Sequence, residues 1–555
     1  MQYKYTVLAN TTLGGLMASI NSTILLISLP AIFRGININP LASNSLALLL
    51  WILLGYMIVT ASFLVTFGKI SDIYGRKKFY TIGFTIFAIA SVLLSLTPSN
   101  SGEFGAYYII ILRIVQAIGG GFIMVNGTAL LTDAFPSHER GKALGINQIA
   151  FVAGGFLGII IGGLLSFYDF HIIFLVSVPF AIAGALWSQY KLKEENYRTD
   201  KKGIKDYLGN VFLAASLVCL VLGFTYALIP YKNSQLGWNN PFVLLAFSLS
   251  VIFFILFIIR EMKTKEPFLN LHLFKLRSFS FGSLALLFNS LAQGALMFLI
   301  VIWLQAIYLP AHGFSYESTP FWAGIYMMPL MISVVIFGPL GGTLTDKYGA
   351  REIATIGLII MIIGFALITT LPANFNLYEF LAILFFTGIG NGLFAAPNTT
   401  AIMNSLPIDV RGEGNGVRQT IGNVARVISL SMFFTIAITY FVTYLPSQIN
   451  NYLSSLGAPS SLIKVLSNIP GSDLLFASLL GYNPINYLPS QISSLIPSSI
   501  LNSLKSTAFL PNVISNPFIK ALRISFAIGI AMLIIATIFS ALRGGKFVNT
   551  ERMKK

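Results

Sequence analysis

Charge is scarce in this sequence, and acidic residues are its scarcest part. Only 10% of the 555 residues are charged, with 19 Asp and Glu against 35 Lys and Arg, whereas 55% are hydrophobic. Soluble domains carry about a quarter charged residues. Together with a mean hydropathy of +0.79, this scarcity excludes a water-soluble globular protein and indicates a chain that lies within a lipid bilayer.

Cysteine and histidine are nearly absent as well. The single cysteine, Cys219, lies in an apolar run, so an internal disulfide framework is excluded. The four histidines fall in or beside predicted loops without the spacing of metal ligands: His138, His171, His272 and His312. The sequence also has no Walker motif and no Ser–His–Asp arrangement. We therefore expect no enzyme activity, no catalytic residue, no metal and no bound cofactor.

Long apolar runs occupy most of the remaining sequence, and each is long enough to cross a hydrocarbon core of about 30 Å as a helix. A transmembrane barrel would instead show alternating strands of about ten residues. The sequence therefore predicts an all-α polytopic membrane protein with fourteen transmembrane helices. They lie near 8–30, 46–67, 79–97, 107–131, 144–166, 171–190, 207–229, 241–259, 279–308, 320–340, 353–371, 378–402, 417–443 and 518–541.

The basic residues indicate the orientation. Most of the 35 Lys and Arg residues fall in the tails or in alternate gaps between spans, Arg418 being counted with the gap before the thirteenth span. Such loops are cytoplasmic, so we predict a multi-pass protein of the cell membrane with both termini in the cytoplasm. The first apolar run follows Lys4 and is interpreted as the first span, not a signal peptide. The net charge of +16 is then an orientation signal, and we expect no nucleic-acid partner.

Two sequence elements occur twice, in the same order and at nearly the same offset. The first charged turn, "GKISDIYGRKK" (68–78), is similar to the second charged turn, "GGTLTDKYGAR" (341–351). Residues 119–145 align with 390–416 in the same way. The chain is therefore predicted to contain two similar six-helix halves, 1–190 and 278–555. Residues 191–277 supply a charged linker and two extra spans. Repeated halves are an architecture of transporters.

The charged turns are candidate gating elements. In the first, Gly68 allows a neighbouring helix to approach, Gly75 permits the turn, and Asp72 pairs with Arg76 or faces a helix N-terminus. The second turn repeats the pattern with Gly342, Asp346, Gly349 and Arg351. We predict that such contacts hold the cytoplasmic side shut in one state. The alternative is a plain positive-inside loop.

These motifs resemble those of the major facilitator superfamily, and fourteen spans resemble its EmrB/QacA-type drug:proton antiporter branch. Further similar segments are "NSTILLISLP" (21–30), "RIVQAIGGG" (113–121), "GGFLGIIIGG" (154–163) and "RQTIG" (418–422). The resemblance implies a monomeric secondary transporter that exports hydrophobic or amphiphilic small molecules by alternating access and uses the proton gradient. It also implies that the fifth span packs closely against neighbouring helices through four glycines: Gly154, Gly158, Gly162 and Gly163.

The sequence departs from the family at two positions. Asn21 stands where the family has an acid linked to proton coupling, and Ile159 stands where the fifth-span motif has proline. All Asp and Glu fall in loops, in tails or near span ends, whereas Arg113 and Arg426 fall inside spans. An arginine in the bilayer faces the bundle interior or a water-filled cavity and needs an acceptor.

Candidate acceptors in the coupling or substrate cavity are Asn21, Gln116, Asn147 and Asn423. We therefore predict a positively charged cavity that suits neutral or anionic amphiphiles. Alternatively, both arginines bind backbone and water and only shape the fold. Two other functions stay open: export or uniport of organic anions or lipid-like molecules, and a non-transporting membrane sensor.

The predicted outer loop, 444–517, is long and rich in Ser, Asn, Pro and Leu. Two interpretations are open. It forms short amphipathic helices that cap the outer mouth, or it is a surface insertion that the fold tolerates.

Overall fold

The computed structural model describes residues 2–39, 45–194, 207–227, 229, 231, 232, 234, 236–264, 271–406, 411–467, 469, 471–487 and 496–544, and nearly all of them are helical. The long helices are α1 (Tyr3–Ile36), α2 (Ser45–Tyr74), α3 (Arg76–Leu94), α4 (Glu103–Ala134), α5 (Ser137–Leu165), α6 (Phe170–Lys191), α7 (Tyr207–Ala227), α8 (Pro241–Lys263), α9 (Arg277–Ala311), α10 (Thr319–Tyr348), α11 (Ala350–Thr370), α12 (Leu377–Asn404), α13 (Arg411–Ser455) and α17 (Phe509–Leu542). Three short helices lie between the last two: α14 (Ser460–Ser467), α15 (Gly471–Leu480) and α16 (Ser498–Leu504).

Apolar composition explains why these segments cross a membrane. Among the described residues, 13 helices are long and apolar enough to do so, and α5 contributes a shorter apolar stretch at Ala153–Leu165. The all-α polytopic fold predicted from sequence is therefore confirmed. The bounds of α13 differ from the prediction, since it has 45 residues and begins at Arg411. Arg418 accordingly lies inside the helix, not in the preceding gap.

The helices pack in two groups. In the first, α1 packs on α4 and α5, and α3 packs on α4 and α6; in the second, α12 packs on α10 and α11, and α17 packs on α9, α11 and α13. Helices α7 and α8 pair with each other. The main contacts between the groups are α5 with α10 and α2 with α13. The domain bounds at 190 and 278 stay a prediction.

The same backbone crossing occurs in each group. A Cβ on Gly83 would lie 2.9 Å from the carbonyl oxygen of Gly119, where α3 crosses α4. A Cβ on Gly357 would lie 2.7 Å from the carbonyl oxygen of Gly390, where α11 crosses α12. Because real Cβ atoms do not approach so closely, only glycine allows these helices to touch. The two groups therefore share this glycine crossing in addition to the charged turns.

The two charged turns are alike at their second shared glycine and differ in the surroundings of the first. Gly75 separates α2 from α3, and Gly349 separates α10 from α11. Their φ angles are 111° and 98°, a backbone conformation that is strained for any residue with a side chain. A Cβ on Gly68 would lie 2.9 Å from a Val125 methyl group, whereas nothing lies within 4 Å of the same atom at Gly342. The turn geometry is therefore repeated, but in the second turn the close helix approach is one residue earlier, at Gly341, where a Cβ would lie 3.2 Å from Cα of Leu393 in α12.

Helix α5 joins its own group to the other through its glycines. Three of them face the backbone or side chains of α1: Gly154, Gly158 and Gly162. A Cβ on Gly158 would lie 2.6 Å from the carbonyl oxygen of Ile20, and one on Gly163 would lie 2.7 Å from Cα of Phe321 in α10. These distances explain how α5 contacts α1 and α10 at once.

We call the end of the bundle with the two charged turns the basic face, and the opposite end, with α14 to α16, the loop face. At the loop face, α15 is buried and contacts both groups. Ser478 Oγ donates to the carbonyl oxygen of Ala306 at 2.7 Å, and Arg34 Nη1 donates to that of Leu480 at 3.3 Å. The surface-insertion interpretation is therefore wrong for α15, because its leucines lie in the core.

Candidate functional site

One buried polar cluster surrounds Arg113 of α4. Arg113 Nη1 donates to Gln116 Oε1 at 2.6 Å, and Gln116 Nε2 donates to Ser91 Oγ at 2.7 Å. Asn21 Nδ2 lies 3.4 Å from Gln116 Oε1. The Arg113 guanidinium also lies over the ring of Tyr56, 4.5 Å from its centroid. Three predicted cavity residues, Asn21, Arg113 and Gln116, are thus brought together.

This cluster is closed to solvent. Arg113 is 2% exposed, Asn21 3% and Gln116 0%. A guanidinium stacked on an aromatic face gains a cation–π attraction that grows when water is absent. In the part of the chain that the structure describes, no carboxylate pairs with Arg113, and its Nε has no hydrogen-bond partner. In this conformation the charge of Arg113 is stabilised by neutral groups of the protein, the Gln116 side chain and the Tyr56 ring.

Arg426 has a different environment. Its Nη2 donates to Asn423 Oδ1 at 3.2 Å and its Nε to the carbonyl oxygen of Gly422 at 3.3 Å, both on its own helix. It lies about 22 Å along α13 from Arg411, at 1.5 Å per residue. The side chain is solvent-exposed, although α13 packs against α2, α9 and α17. We infer that it borders a cavity between these helices, where an arginine in a membrane is tolerated.

Arg418 lies on the same helix, two turns before Arg426, and the sequence analysis did not select it. Its Nη1 donates to Thr399 Oγ1 of α12 at 3.4 Å. It is close enough to Arg426 for the two charges to repel each other. The eight-residue spacing of Arg418 and Arg426 would have placed them two turns apart on one helix. The sequence analysis missed this because it counted Arg418 in the gap before the helix. Arg418 and Arg426 together make this side of the cavity positive.

Asn147, another predicted cavity residue, lies elsewhere. Its Oδ1 would be 2.9 Å from a Cβ on Gly15, which places it at the contact between α5 and α1. Among the described residues it bonds to neither arginine. The predicted site residues therefore fall into two clusters, Asn21–Arg113–Gln116 and Asn423–Arg426, with Asn147 apart from both.

At the first charged turn, Arg76 has a partner in the neighbouring helix. Its Nη1 donates to Asp133 Oδ2 of α4 at 2.6 Å. The side chains of Asp72 and Asp346 lie outside the described residues, so the proposed pairing of Asp72 with Arg76 stays a prediction. In the second turn, Arg351 is exposed.

The start of the linker after α6 also binds this turn. The Glu194 carboxylate accepts the backbone N–H groups of Lys77, at 3.2 Å, and of Lys78, at 3.0 Å. It therefore caps the N-terminus of α3, where a helix favours negative charge. Its oxygen would lie 2.7 Å from a Cβ on Gly75, so glycine is required there for space as well as for conformation.

The loop face is closed by contacts between the two groups of helices. Gln305 of α9 donates Nε2 to the carbonyl oxygen of Ile27 in α1 at 3.3 Å. A Cβ on Gly324 of α10 would lie 3.0 Å from Ile159 Cγ2 in α5, so Ile159 fills the position where the family motif has proline. At the basic face, the bond of Arg76 joins helices of one group. The two groups are thus joined by described contacts at the loop face.

Gln305 and Tyr316 are loop-face residues that the sequence analysis did not identify. Gln305 lies in a π-helical turn, Trp303–Tyr308, within α9, and such turns are frequent at functional sites. Burial raises the pKa of Tyr316 to about 12, so its hydroxyl stays protonated and donates to the carbonyl oxygen of Thr507 at 3.1 Å. No sequence pattern marks either residue, because both act through tertiary contacts.

Comparison with known proteins gives one family. The sequence model of the Major Facilitator Superfamily matches residues 11–260 and 230–430. The riboflavin transporter RibZ of Clostridioides difficile (strain 630) is 29% identical over 449 residues, which are 79% of this chain and 90% of the relative. Multidrug resistance protein 3 of Bacillus subtilis (strain 168) is 27% identical over 409 residues, 74% of this chain and 76% of the relative.

A solved structure supports the same fold. A bacterial homologue of the human lysosomal transporter Spinster, in an inward-facing and unoccupied conformation, aligns with a TM-score of 0.55 at 15% identity. The alignment covers 98% of this chain and 97% of the other.

Proposed function

The chain belongs to the major facilitator superfamily, and on this premise we propose that it is a secondary active transporter that exports hydrophobic or amphiphilic compounds by alternating access. Relatives named for multidrug and antibiotic resistance support export of such compounds. The observation that carries the proposal is Arg426, a solvent-exposed cation within a membrane-spanning helix, with the two groups of helices joined at the loop face. A cavity open to one side at a time is the requirement of alternating access.

We further infer that this conformation faces the cytoplasm. Basic residues cluster at the basic face, and cytoplasmic loops have this composition. The contacts of Gln305 with α1 and of α15 with both groups close the other side. Both termini are then cytoplasmic, and the protein works as a monomer in the plasma membrane. We propose that the shorter α5 also spans the membrane, which makes fourteen membrane helices with α7 and α8 as the extra pair, as in the EmrB/QacA-type branch.

The charge of the cavity favours a cargo that is neutral or anionic. Arg418 and Arg426 repel each other, and an anionic group between them would relieve this repulsion and accept hydrogen bonds from both. This supports the second candidate function, export or uniport of organic anions or lipid-like molecules. The relative named as a riboflavin transporter shows that a polar heteroaromatic cargo occurs among similar chains.

The coupling to a proton gradient is a separate proposal. Asn21 cannot titrate, so the proton would have to bind elsewhere. The described carboxylates near span ends include Asp133, which is paired with Arg76 at the basic face, and Glu261 of α8, which is buried. The pair of Asp133 with Arg76 joins α3 to α4 within the first group, so in this proposal it shapes the first charged turn and does not itself join the two groups.

Transport in proteoliposomes tests these proposals. The purified protein is reconstituted with an imposed pH gradient, and flux is measured for an anionic and a cationic amphiphile of similar size. We expect gradient-dependent flux of the anionic compound that falls in R426A and is retained in R426K. Cation flux that collapses with the gradient would contradict the cargo-charge proposal, and absence of flux for both compounds would contradict the transporter itself.

A further inference from the structure

A groove outside the cargo cavity lies between the basic-face ends of α3 and α6. It has a volume of about 460 Å³ and is lined on α3 by Lys77, Lys78, Thr81, Ile82, Thr85 and Ile86, with Gln189 and Glu194 on the other side. The groove is therefore cationic at one end and apolar along its length. None of these residues belongs to the two arginine clusters.

The groove continues into a surface that faces the hydrocarbon. Further along α3, Ile89 is 56% exposed and Leu93 38%. On α6, Leu186 is 54% exposed and Ile182 48%. Exposed apolar residues on a membrane-spanning helix contact acyl chains, so an acyl chain that enters the groove stays in contact with α3 towards the middle of the membrane.

The charged end of the groove is free to bind an anion. The Glu194 carboxylate is occupied by the backbone N–H groups of Lys77 and Lys78, so it already neutralises the N-terminus of α3. Within the described residues, neither lysine side chain forms an ion pair. Lys78 is exposed and Lys77 half-buried. Two ammonium groups thus stand at the membrane surface, directly above an apolar groove.

We propose that this groove is a binding site for one anionic phospholipid. The phosphate and headgroup lie between the side chains of Lys77 and Lys78, and one acyl chain runs along Ile82 and Ile86. A soluble anion would use the lysines alone, and a zwitterionic lipid would gain little from two cations. Only an anionic lipid matches both the charge and the apolar track.

Lipid retention after purification tests the site. The full-length protein is purified in detergent, incubated with equal amounts of phosphatidylglycerol and phosphatidylcholine, and analysed by native mass spectrometry. Each lysine near an anionic headgroup contributes a factor of about five, so K77Q/K78Q should reduce bound phosphatidylglycerol by about tenfold or more. Bound phosphatidylcholine should not change.

Two further variants separate charge from shape. K263Q/K347Q removes the same charge at the basic face, from the exposed ends of α8 and α10, and should keep phosphatidylglycerol binding within about twofold. I82W fills the groove without changing charge and should also lower binding. Thermal melting in detergent checks that every variant is folded.

Four results would overturn the proposal. They are unchanged phosphatidylglycerol binding in K77Q/K78Q, an equal loss in K263Q/K347Q, an equal loss of phosphatidylcholine, and unchanged binding in I82W. Displacement of the lipid by 20 mM inorganic phosphate would also contradict it, because the site would then recognise an anion without its acyl chain.

Discussion

The two arginine clusters contain the same functional group inside the same membrane domain, and the structure treats them in opposite ways. Arg113 is enclosed by Gln116 and the ring of Tyr56 and is 2% exposed. Among the described residues Arg426 bonds to its own helix, and its side chain is exposed. A buried arginine enclosed by neutral groups stabilises a fold, whereas an accessible one with a cationic neighbour is available to cargo.

The difference comes from what faces each residue. Gln116 lies one turn after Arg113 on α4, and α1 and α2 add Asn21 and Tyr56, so three helices supply its environment. Asn423 lies one turn before Arg426 on α13, and the cation of Arg418 on the same helix is close enough to repel it. The neighbouring helices therefore distinguish the two sites.

The largest expected effect is on transport by R426A. A hydrogen bond from a charged group to cargo contributes about 1.5–3 kcal/mol, so flux of an anionic amphiphile should fall by about tenfold or more. R426K keeps the charge and should retain most of the flux. The thermal melting temperature should change little. A folded R426A protein with native flux would make Arg426 structural.

R113A should act on stability instead. Removing this side chain leaves Gln116 Oε1 without its main donor and the Tyr56 ring without its cation, which costs about 1–3 kcal/mol. The melting temperature in detergent should fall, while flux per folded molecule stays near native. If R113A kept its melting temperature and lost transport, the contrast between the two arginines would be wrong.

A smaller effect is expected for R418Q. Arg418 donates to Thr399 and acts on the cavity mainly through its field. Anion flux should fall by about threefold, and R418K should restore it. An increase in anion flux would show that Arg418 competes with Arg426 instead of assisting it.

The smallest effect is expected for N147A. Asn147 lies at the contact of α5 with Gly15 of α1, apart from both arginines. Flux should stay within about twofold of native, measured in the same proteoliposomes. A loss as large as that of R426A would place Asn147 in the cargo path and would contradict its separation from the Arg426 cluster.

Much of this fold could be predicted because apolar runs and glycine turns are local signals. The helices, the turns at Gly75 and Gly349, and the i, i+3 neighbours Arg113 and Gln116 all follow from sequence spacing. The burial of α15 could not be predicted, since its leucines would equally suit a helix lying on the membrane. The exposure of Arg426 depends on a cavity between helices, and no sequence spacing describes that cavity.

The most direct test of the central claim uses the single cysteine of the chain. In a C219S background, N423C places a thiol beside Arg426, and its labelling is compared for a sulfonate and a trimethylammonium thiosulfonate of similar size. We predict that the anionic reagent reacts about tenfold faster relative to the cationic one than at an exposed position such as K263C, and that adding R426Q abolishes this preference. Equal preference at both positions, or no labelling of N423C, would contradict an accessible, positively charged cavity.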